Sequence, residues 1–197
     1  MKLHQLKSYV ATLIIGLGLQ ATSHAGGEFR FQLGLTYTSG FTEVIDAMED
    51  VDDRLSDNFV LPVGLSLNPY YEFDFGLGIG ANIGPTSLIF VDTGWETDLN
   101  IIVPVGLDLR YTFLRDKNVS PYVRAGFRYP IVSGDYFDSS TPGFFGAVGV
   151  EFLRTKRTQF GLEVAYDTSE VTVEGPDYPY SKDVQPYQFM VSLFVTF

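Results

Sequence analysis

The chain has 197 residues, of which 45% are hydrophobic and 15% aromatic, and its formal net charge is −11. This acidic balance argues against nucleic acid as a partner, because phosphate backbones need clustered lysines and arginines. The absence of cysteine excludes disulfide bonds and a lipid attached through an N-terminal cysteine.

The first 25 residues are typical of a cleaved signal peptide. Two lysines precede an apolar stretch at residues 10–19, and Ser23-His24-Ala25 matches the small-x-small cleavage pattern. We predict cleavage after Ala25, so that residues 1–25 form the signal peptide and the remaining 172 residues, 26–197, form the mature domain with a net charge of −13. The alternative is an N-terminal membrane anchor, although the apolar stretch is shorter than the about 20 residues that a spanning helix needs.

Eight later stretches alternate between apolar residues and polar residues or glycine, which is typical of β-strands because successive side chains point to opposite faces. In chain order they cover residues 28–37, 59–67, 71–79, 103–113, 123–129, 144–152, 160–166 and 187–197. The charged residues share one face with glycine, whereas the opposite face is apolar. Since a soluble barrel has its apolar side chains inside, this sidedness predicts an all-β fold, an eight-stranded antiparallel up-and-down transmembrane β-barrel.

The connections between these stretches alternate in length. Short connections are predicted at Asn68-Pro69, 115–120 and 154–158, and long ones at 39–57, 84–98, 133–143 and 168–185. Barrels in the outer membrane have short periplasmic turns and longer extracellular loops. We therefore predict that the long connections, which hold 16 of the 24 acidic residues, face the cell exterior.

The first long connection carries a helical pattern. Val44, Met48, Val51 and Leu55 recur at the spacing of one helix face, with acidic residues between them. We predict a short amphipathic helix across the barrel mouth or on the membrane surface, with a solvated acidic face. Binding of a divalent cation is the alternative, although residues 50–53 lack the glycine and the terminal glutamate of a calcium loop.

Ten charged residues of the polar face are predicted to line the half of the lumen nearer the short turns. They are Glu28, Arg30, Glu72, Asp74, Asp108, Arg110, Arg124, Arg128, Glu151 and Glu163. Because buried charges are costly unless they are paired, we expect a salt-bridged network that seals the lumen. The alternative is a gated, narrow ion path. The ten residues include six acids and only four arginines, and this negative excess would make such a path cation-preferring.

Glycine is frequent on the same inner face. The inward glycines are Gly34, Gly64, Gly76, Gly78, Gly80, Gly106, Gly126, Gly149 and Gly161. Eight strands leave an interior that side chains fill or that holds one small ligand. Two interpretations follow: long arginine side chains fill the space, or a cavity remains in the half of the lumen nearer the long connections.

The signal peptide, the eight alternating stretches and the terminal Phe197 resemble the small outer-membrane β-barrels of Gram-negative bacteria, in the OmpA-like and OmpX-like superfamily. The resemblance covers essentially the whole mature chain. It implies that Phe189, Leu193, Val195 and Phe197 form a C-terminal signal for the barrel-assembly machinery. Since the chain stops at the last strand, no periplasmic peptidoglycan-binding domain is expected.

Enzymes of similar barrels use a catalytic histidine, but His4 and His24 both fall in the predicted signal peptide. Without imidazole to activate a nucleophile, we expect no enzymatic activity, no catalytic residues, and no cofactor or metal site.

We predict an integral outer-membrane barrel that contributes to membrane integrity or to surface interaction through its acidic loops. The alternative is a narrow cation-preferring channel, or a carrier for a small ligand, that uses the glycine-lined lumen. The expected partners are outer-membrane lipid, lipopolysaccharide reached through divalent cations, and the barrel-assembly machinery. We expect a monomer.

Overall fold

The computed structural model describes residues 26–51, 59–60, 63–92, 97–175 and 180–197, without the side chains of 59–60, 91–92 and 97–98. The predicted signal peptide and Leu55 of the helical pattern lie outside these residues. One helix and twelve strands are found in the described part of the chain. In chain order they are β1 Gly27–Thr38, α1 Phe41–Val51, β2 Phe59–Val60, β3 Val63–Phe73, β4 Leu77–Asp92, β5 Thr97–Thr112, β6 Val119–Ser133, β7 Phe137–Thr141, β8 Gly143–Phe152, β9 Gln159–Asp167, β10 Glu170–Glu174, β11 Ser181–Val184 and β12 Phe189–Thr196.

Eight of these strands form a closed antiparallel barrel, as predicted. The strand order is β4-β3-β1-β12-β9-β8-β6-β5, and β5 pairs again with β4. The first and last strands meet through two backbone hydrogen bonds between Phe31 and Phe197, at 3.1 and 2.9 Å. Closure leaves no free edge among the eight strands, so their backbone groups can pair without water.

The barrel wall is apolar outside and polar inside. Leu65, Leu107 and Leu193 point outward and are 62%, 69% and 63% exposed. Glu72 and Glu151 point inward and are fully buried. The alternation read from the sequence therefore has the predicted sidedness, because side chains alternate across each strand.

The turn predicted at Asn68-Pro69 is wrong. β3 runs without interruption from Val63 to Phe73, and Pro69 lies opposite Phe31 of β1. The chain instead turns at residues 74–76, where Gly76 has a φ of +90° that glycine accommodates without strain. An asparagine–proline pair is a general turn signal, but here Asn68 is buried inside the barrel in the middle of a strand.

We call the barrel end that holds the turns 74–76, 113–118 and 153–158 the short-turn end, and the opposite end the long-loop end. The long connections contain more regular structure than predicted. β4 continues to Asp92, and β7, β10 and β11 form a separate sheet in the order β11-β10-β7. Among the described residues no helix has the length and apolar character to cross a membrane.

β4 contains an irregularity that changes which residues face inward. Its pairing with β5 shifts between Ile83 and Ser87, and Gly84 has a φ of +95°. Before the shift the even-numbered residues face inward, as the buried Asn82 shows. After it the odd-numbered residues face inward, as the buried Ser87 and Ile89 show. A bulge of this kind moves the strand by one residue and keeps its apolar outer face continuous.

The predicted amphipathic helix is present as α1, and it lies against β10 and β11 of the small sheet. Its buried face is Phe41, Val44, Ala47, Met48 and Val51. This face joins an apolar cluster at the long-loop end, which we call the apolar cap. Besides the helix residues, the apolar cap contains Ile89, Ile102, Tyr136, Phe137, Ala147, Ala165, Val171, Val173, Val184, Tyr187 and Met190.

Candidate functional site in the barrel lumen

The lumen nearest the short turns is filled by a chain of paired charges. Arg154 Nη2 lies 2.6 Å from Glu72 Oε1, and Arg154 Nη1 also contacts Glu151. Arg30 Nε lies 3.2 Å from Glu72, and Arg110 Nη2 lies 2.8 Å from Glu151. Three guanidinium groups and two carboxylates therefore alternate across the barrel, which offsets the cost of burying each charge.

A second layer lies above the first, toward the long-loop end. Arg124 pairs with Asp108 at 3.1 Å and with Glu163 at 2.6 Å. The hydroxyl of Tyr122 donates a hydrogen bond of 2.7 Å to Glu163. Each carboxylate in this layer thus contacts the same guanidinium from a different strand, so one side chain joins β5, β6 and β9.

Arg128 forms the last charged contact before the apolar cap. Its Nη1 lies 3.2 Å from Asp167, and its Nε donates a hydrogen bond of 2.9 Å to Asn82. The guanidinium also lies 4.1 Å from the centre of the Phe145 ring. Stacking on a ring suits arginine, whose planar and weakly hydrated group tolerates burial.

Four of the nine predicted inward glycines make room for aromatic rings. Four buried inward rings each lie opposite a glycine on the neighbouring strand. The pairs are Tyr70 with Gly80, Tyr122 with Gly149, Phe145 with Gly126, and Phe194 with Gly161. A Cβ at Gly149 or Gly161 would collide with the opposing ring. Of the two interpretations of the glycines, the structure therefore favours a lumen filled by side chains, with aromatic rings as well as arginines filling it.

The buried charges of the described residues balance. Five arginines are buried, namely Arg30, Arg110, Arg124, Arg128 and Arg154. Five acids are buried with them, namely Glu72, Asp108, Glu151, Glu163 and Asp167. The excess of acids counted from the sequence is therefore not found among the buried charges, and it gives no basis for cation preference.

A small polar cavity of ≈ 10 Å³ lies within the lumen, between the paired charges and the apolar cap. Its lining includes Ser66, Asn68, Arg124 and Ser192. Asn68 Oδ1 and Arg124 Nε have no hydrogen-bond partner among the described residues. A space of this size holds about one water molecule.

Eight of the ten predicted lumen residues lie buried inside the barrel, and two lie at its rim. Glu28 contacts Arg30, but its side chain is 48% exposed. The lumen position predicted for Asp74 is wrong, because this residue lies in the turn after β3, is 64% exposed and pairs with Arg115 at 3.1 Å. The displaced turn explains the error, since Asp74 was assigned to the interior of a strand.

Sequence reasoning missed Arg154 and Asp167, which are both buried in the lumen. Arg154 lies in the predicted short connection 154–158, yet its side chain extends into the barrel and is buried there. For Asp167 a signal was available, because it continues the inward series of Glu163 and Ala165 along β9. For Arg154 we find no such signal in the strand pattern.

One ion pair lies outside the barrel, between α1 and the small sheet. Lys182 Nζ of β11 lies 2.6 Å from Asp50 Oδ2. The hydrogen bond to Asp50 raises the pKa of Lys182, so the ammonium of Lys182 keeps its charge to a higher pH. In the described part of the chain, no group of three or more acids or histidines converges on a possible metal site.

Comparison with protein families decides what kind of barrel this is. The family model described as outer membrane protein beta-barrel domain matches residues 10–197. This chain belongs to that family. It is therefore an integral outer-membrane barrel, and its exposed apolar wall faces lipid.

The solved structure of one outer membrane protein has the same fold. The chain is similar to the outer membrane protein OprG from Pseudomonas aeruginosa, with 16% identity, a TM-score of 0.55, and coverage of 89% of this chain and 98% of that chain. It is also similar to Neisserial surface protein A, with 15% identity, a TM-score of 0.49, and coverage of 87% and 98%. None of the curated proteins compared with the chain matches it.

The residues predicted to guide assembly of the outer-membrane barrel lie on the last strand and face lipid. Phe189, Leu193 and Phe197 are 46%, 63% and 57% exposed, and Val195 is half-buried beside them. Their recognition by the assembly machinery stays a prediction. Tyr187 does not share this face, because β12 begins at Phe189; Tyr187 is buried, and its hydroxyl lies 3.0 Å from that of Ser87.

Proposed function

We propose that this chain is a non-conducting outer-membrane barrel that contributes to membrane integrity and to contacts at the cell surface. The observation that carries the proposal is the double closure of the lumen, by paired charges toward the short turns and by the apolar cap toward the long loops. The cavity between them measures ≈ 10 Å³, room for about one water molecule, which supports a lumen closed to solutes. Such a barrel acts through its lipid-facing wall and its long-loop end.

The proposed orientation places the short-turn end in the periplasm and the long-loop end at the cell exterior, as in other barrels of this size. The exposed face of α1 then presents Glu43, Asp46, Glu49 and Asp50 outward. The partners we propose there are outer-membrane lipid and lipopolysaccharide. Because lipopolysaccharide phosphates are also negative, Mg²⁺ or Ca²⁺ would have to bridge them to these carboxylates.

We propose no enzymatic activity and no cofactor, because residues 26–197 contain neither histidine nor cysteine. The buried carboxylates contact arginines, which favours a structural role over acid–base chemistry. We also propose that the chain is a monomer. Its eight barrel strands are paired on both sides, so no open edge of the barrel invites a second copy.

Planar-bilayer recording tests the proposed function. The refolded chain is expected to insert without stable conductance steps, whereas an open porin in the same bilayer produces them. Stable cation-selective steps would contradict the proposal and favour the narrow channel. Saturable uptake of a small solute by sealed vesicles would favour the carrier.

Chelation tests the proposed contact with lipopolysaccharide. The purified barrel is expected to bind lipopolysaccharide-containing vesicles in Mg²⁺ and to lose that binding in EDTA. A variant with Glu43→Gln, Asp46→Asn and Glu49→Gln should depend less on Mg²⁺, because it removes three exposed charges that need bridging. If EDTA leaves the binding of the unaltered chain unchanged, divalent bridging is wrong.

A further inference from the structure

Two depressions lie along the seam where the barrel closes, one at the short-turn end of the barrel and one on its lipid-facing wall. The first is a vestibule of ≈ 550 Å³ at the short-turn end. Its lining side chains include five cations, Arg30, Arg115, Arg154, Lys156 and Arg157, and two acids, Glu28 and Asp116. Phe29 and Phe197 also line it, and both are exposed on the lipid-facing wall. The vestibule therefore opens where the apolar wall ends.

Two of these cations are free to bind an anion. Arg30, Arg115 and Arg154 all form ion pairs with carboxylates. Lys156 and Arg157, in contrast, are exposed and have no ion pair among the described residues.

The turn that carries these two cations is held in place. The backbone N–H of Lys156 donates to the carbonyl of Leu153 at 2.8 Å. The side-chain amide of Gln159 donates to the carbonyls of Arg154 and Lys156, at 3.0 and 3.3 Å. Because Gln159 itself is buried, the turn presents its two cations from a fixed backbone.

The second depression is an apolar groove of ≈ 400 Å³ on the lipid-facing side of β1, β12 and β9. Leu33, Val195 and Phe160 lie side by side in register across these three strands and line it. Phe197 of the vestibule is only two residues beyond Val195 on the same side of the chain, a distance of about 7 Å. The apolar groove and the basic vestibule therefore follow one another along the same seam.

We propose that this seam binds one anionic phospholipid. The phosphate lies between Lys156 and Arg157 in the vestibule, and one acyl chain follows Phe197 into the groove beside Val195. The volume of the vestibule is in the range of sites for small ligands, and cations near a membrane surface attract anionic lipid. A headgroup without its own ammonium, such as phosphatidylglycerol, fits better than a zwitterionic one, because an ammonium would be repelled by the surplus of cationic side chains. The inference rests on the lipid-facing wall of the proposed membrane barrel.

Native mass spectrometry of the full chain released from nanodiscs tests this site. The nanodiscs contain phosphatidylcholine with a fixed minor fraction of phosphatidylglycerol in both leaflets. The unaltered chain is expected to retain one phosphatidylglycerol. Arg157→Gln should weaken retention by roughly fivefold, and the double variant Lys156→Gln, Arg157→Gln by roughly 30-fold, from the usual contribution of a basic side chain at a membrane surface.

Lys117→Gln is the matched control, because it also removes one exposed cation from a short turn but Lys117 does not line the vestibule. It should retain the lipid as the unaltered chain does. Equal losses in Lys117→Gln and Arg157→Gln would reduce the site to diffuse attraction and overturn the proposal, as would full retention by the double variant.

A competition experiment with inorganic phosphate distinguishes a site for lipid from a site for phosphate alone, and it needs no variant. Excess inorganic phosphate should displace phosphatidylglycerol poorly, because it cannot occupy the apolar groove. Displacement by phosphate as effective as by phosphatidylglycerol itself would overturn the lipid assignment. Since both leaflets are identical, retention does not depend on the orientation in the cell or on conductance, and the proposed function can fail independently.

Discussion

Replacing Arg124 by alanine is expected to lower the free energy of unfolding by about 3 to 5 kcal/mol. The change leaves Asp108 and Glu163 buried without the guanidinium that lies 3.1 and 2.6 Å from them. Glu163 keeps the Tyr122 hydroxyl, but the amide of Asn82 lies 3.5 Å from Asp108, too far for a strong hydrogen bond. Urea unfolding in lipid vesicles measures the free energy, and heat resistance of the folded band on a gel provides a second readout.

Arg115→Ala is the control for this experiment. Arg115 also contacts carboxylates, but its side chain is 22% exposed and its partner Asp74 is 64% exposed. Exposed pairs of this kind contribute about 0 to 1 kcal/mol. Arg115 also lies 3.9 Å from the buried Glu72, but Glu72 keeps Arg30 and Arg154, so the unfolding midpoint should move far less than in Arg124→Ala.

A rescue variant separates the loss of pairing from the loss of packing. Arg124→Met combined with Asp108→Asn and Glu163→Gln removes the uncompensated charges and should recover much of the stability. Unaltered stability of Arg124→Ala would show that this layer does not hold the barrel together.

Replacing Met48 by aspartate is expected to detach α1 while the barrel remains folded. Met48 is fully buried in the apolar cap, so the change removes its packing and places a carboxylate among apolar side chains. The free energy of docking α1 on the apolar cap should fall by about 3 kcal/mol or more. The backbone amides of Phe41–Val51 should then exchange about 100-fold faster or more. Hydrogen exchange followed by mass spectrometry measures this change.

Glu49→Gln is the control next to this position, because Glu49 is exposed on the opposite face of α1. Its helix should exchange at the rate of the unaltered chain. The Met48→Asp variant should still fail to conduct, since the paired charges nearer the short turns are untouched. Unchanged exchange in α1 would mean that the apolar cap does not depend on this helix face.

The strands were predictable because their signal is local. Each alternating stretch records which of two faces a side chain occupies, and this needs no knowledge of the rest of the fold. The last strand shows it well: Met190, Ser192, Phe194 and Thr196 face inward as their positions predict. The turn at Asn68-Pro69 failed for the same reason, because a local turn signal was taken alone although the strand continues through it.

The candidate site was predictable only in part. Inward arginines and acids followed from alternation, but their partners did not, because a salt bridge joins residues far apart in the chain. Arg124 and Glu163, for example, are 39 residues apart and come together only when β6, β8 and β9 lie side by side. Arg154 was missed because a long side chain in a turn can reach a layer to which its backbone does not belong.

The amino-acid sequence by itself determined the class of this protein, an outer-membrane β-barrel. It contains eight strands with an apolar outer face and a charged inner face. Only the tertiary structure decided that the lumen is filled. The space beside an inward glycine stays empty or is filled by a ring, depending on which residue lies opposite the glycine. The strand register decides which residue that is. The pairing of Tyr122 with Gly149 and of Phe194 with Gly161 closes space that composition alone leaves open.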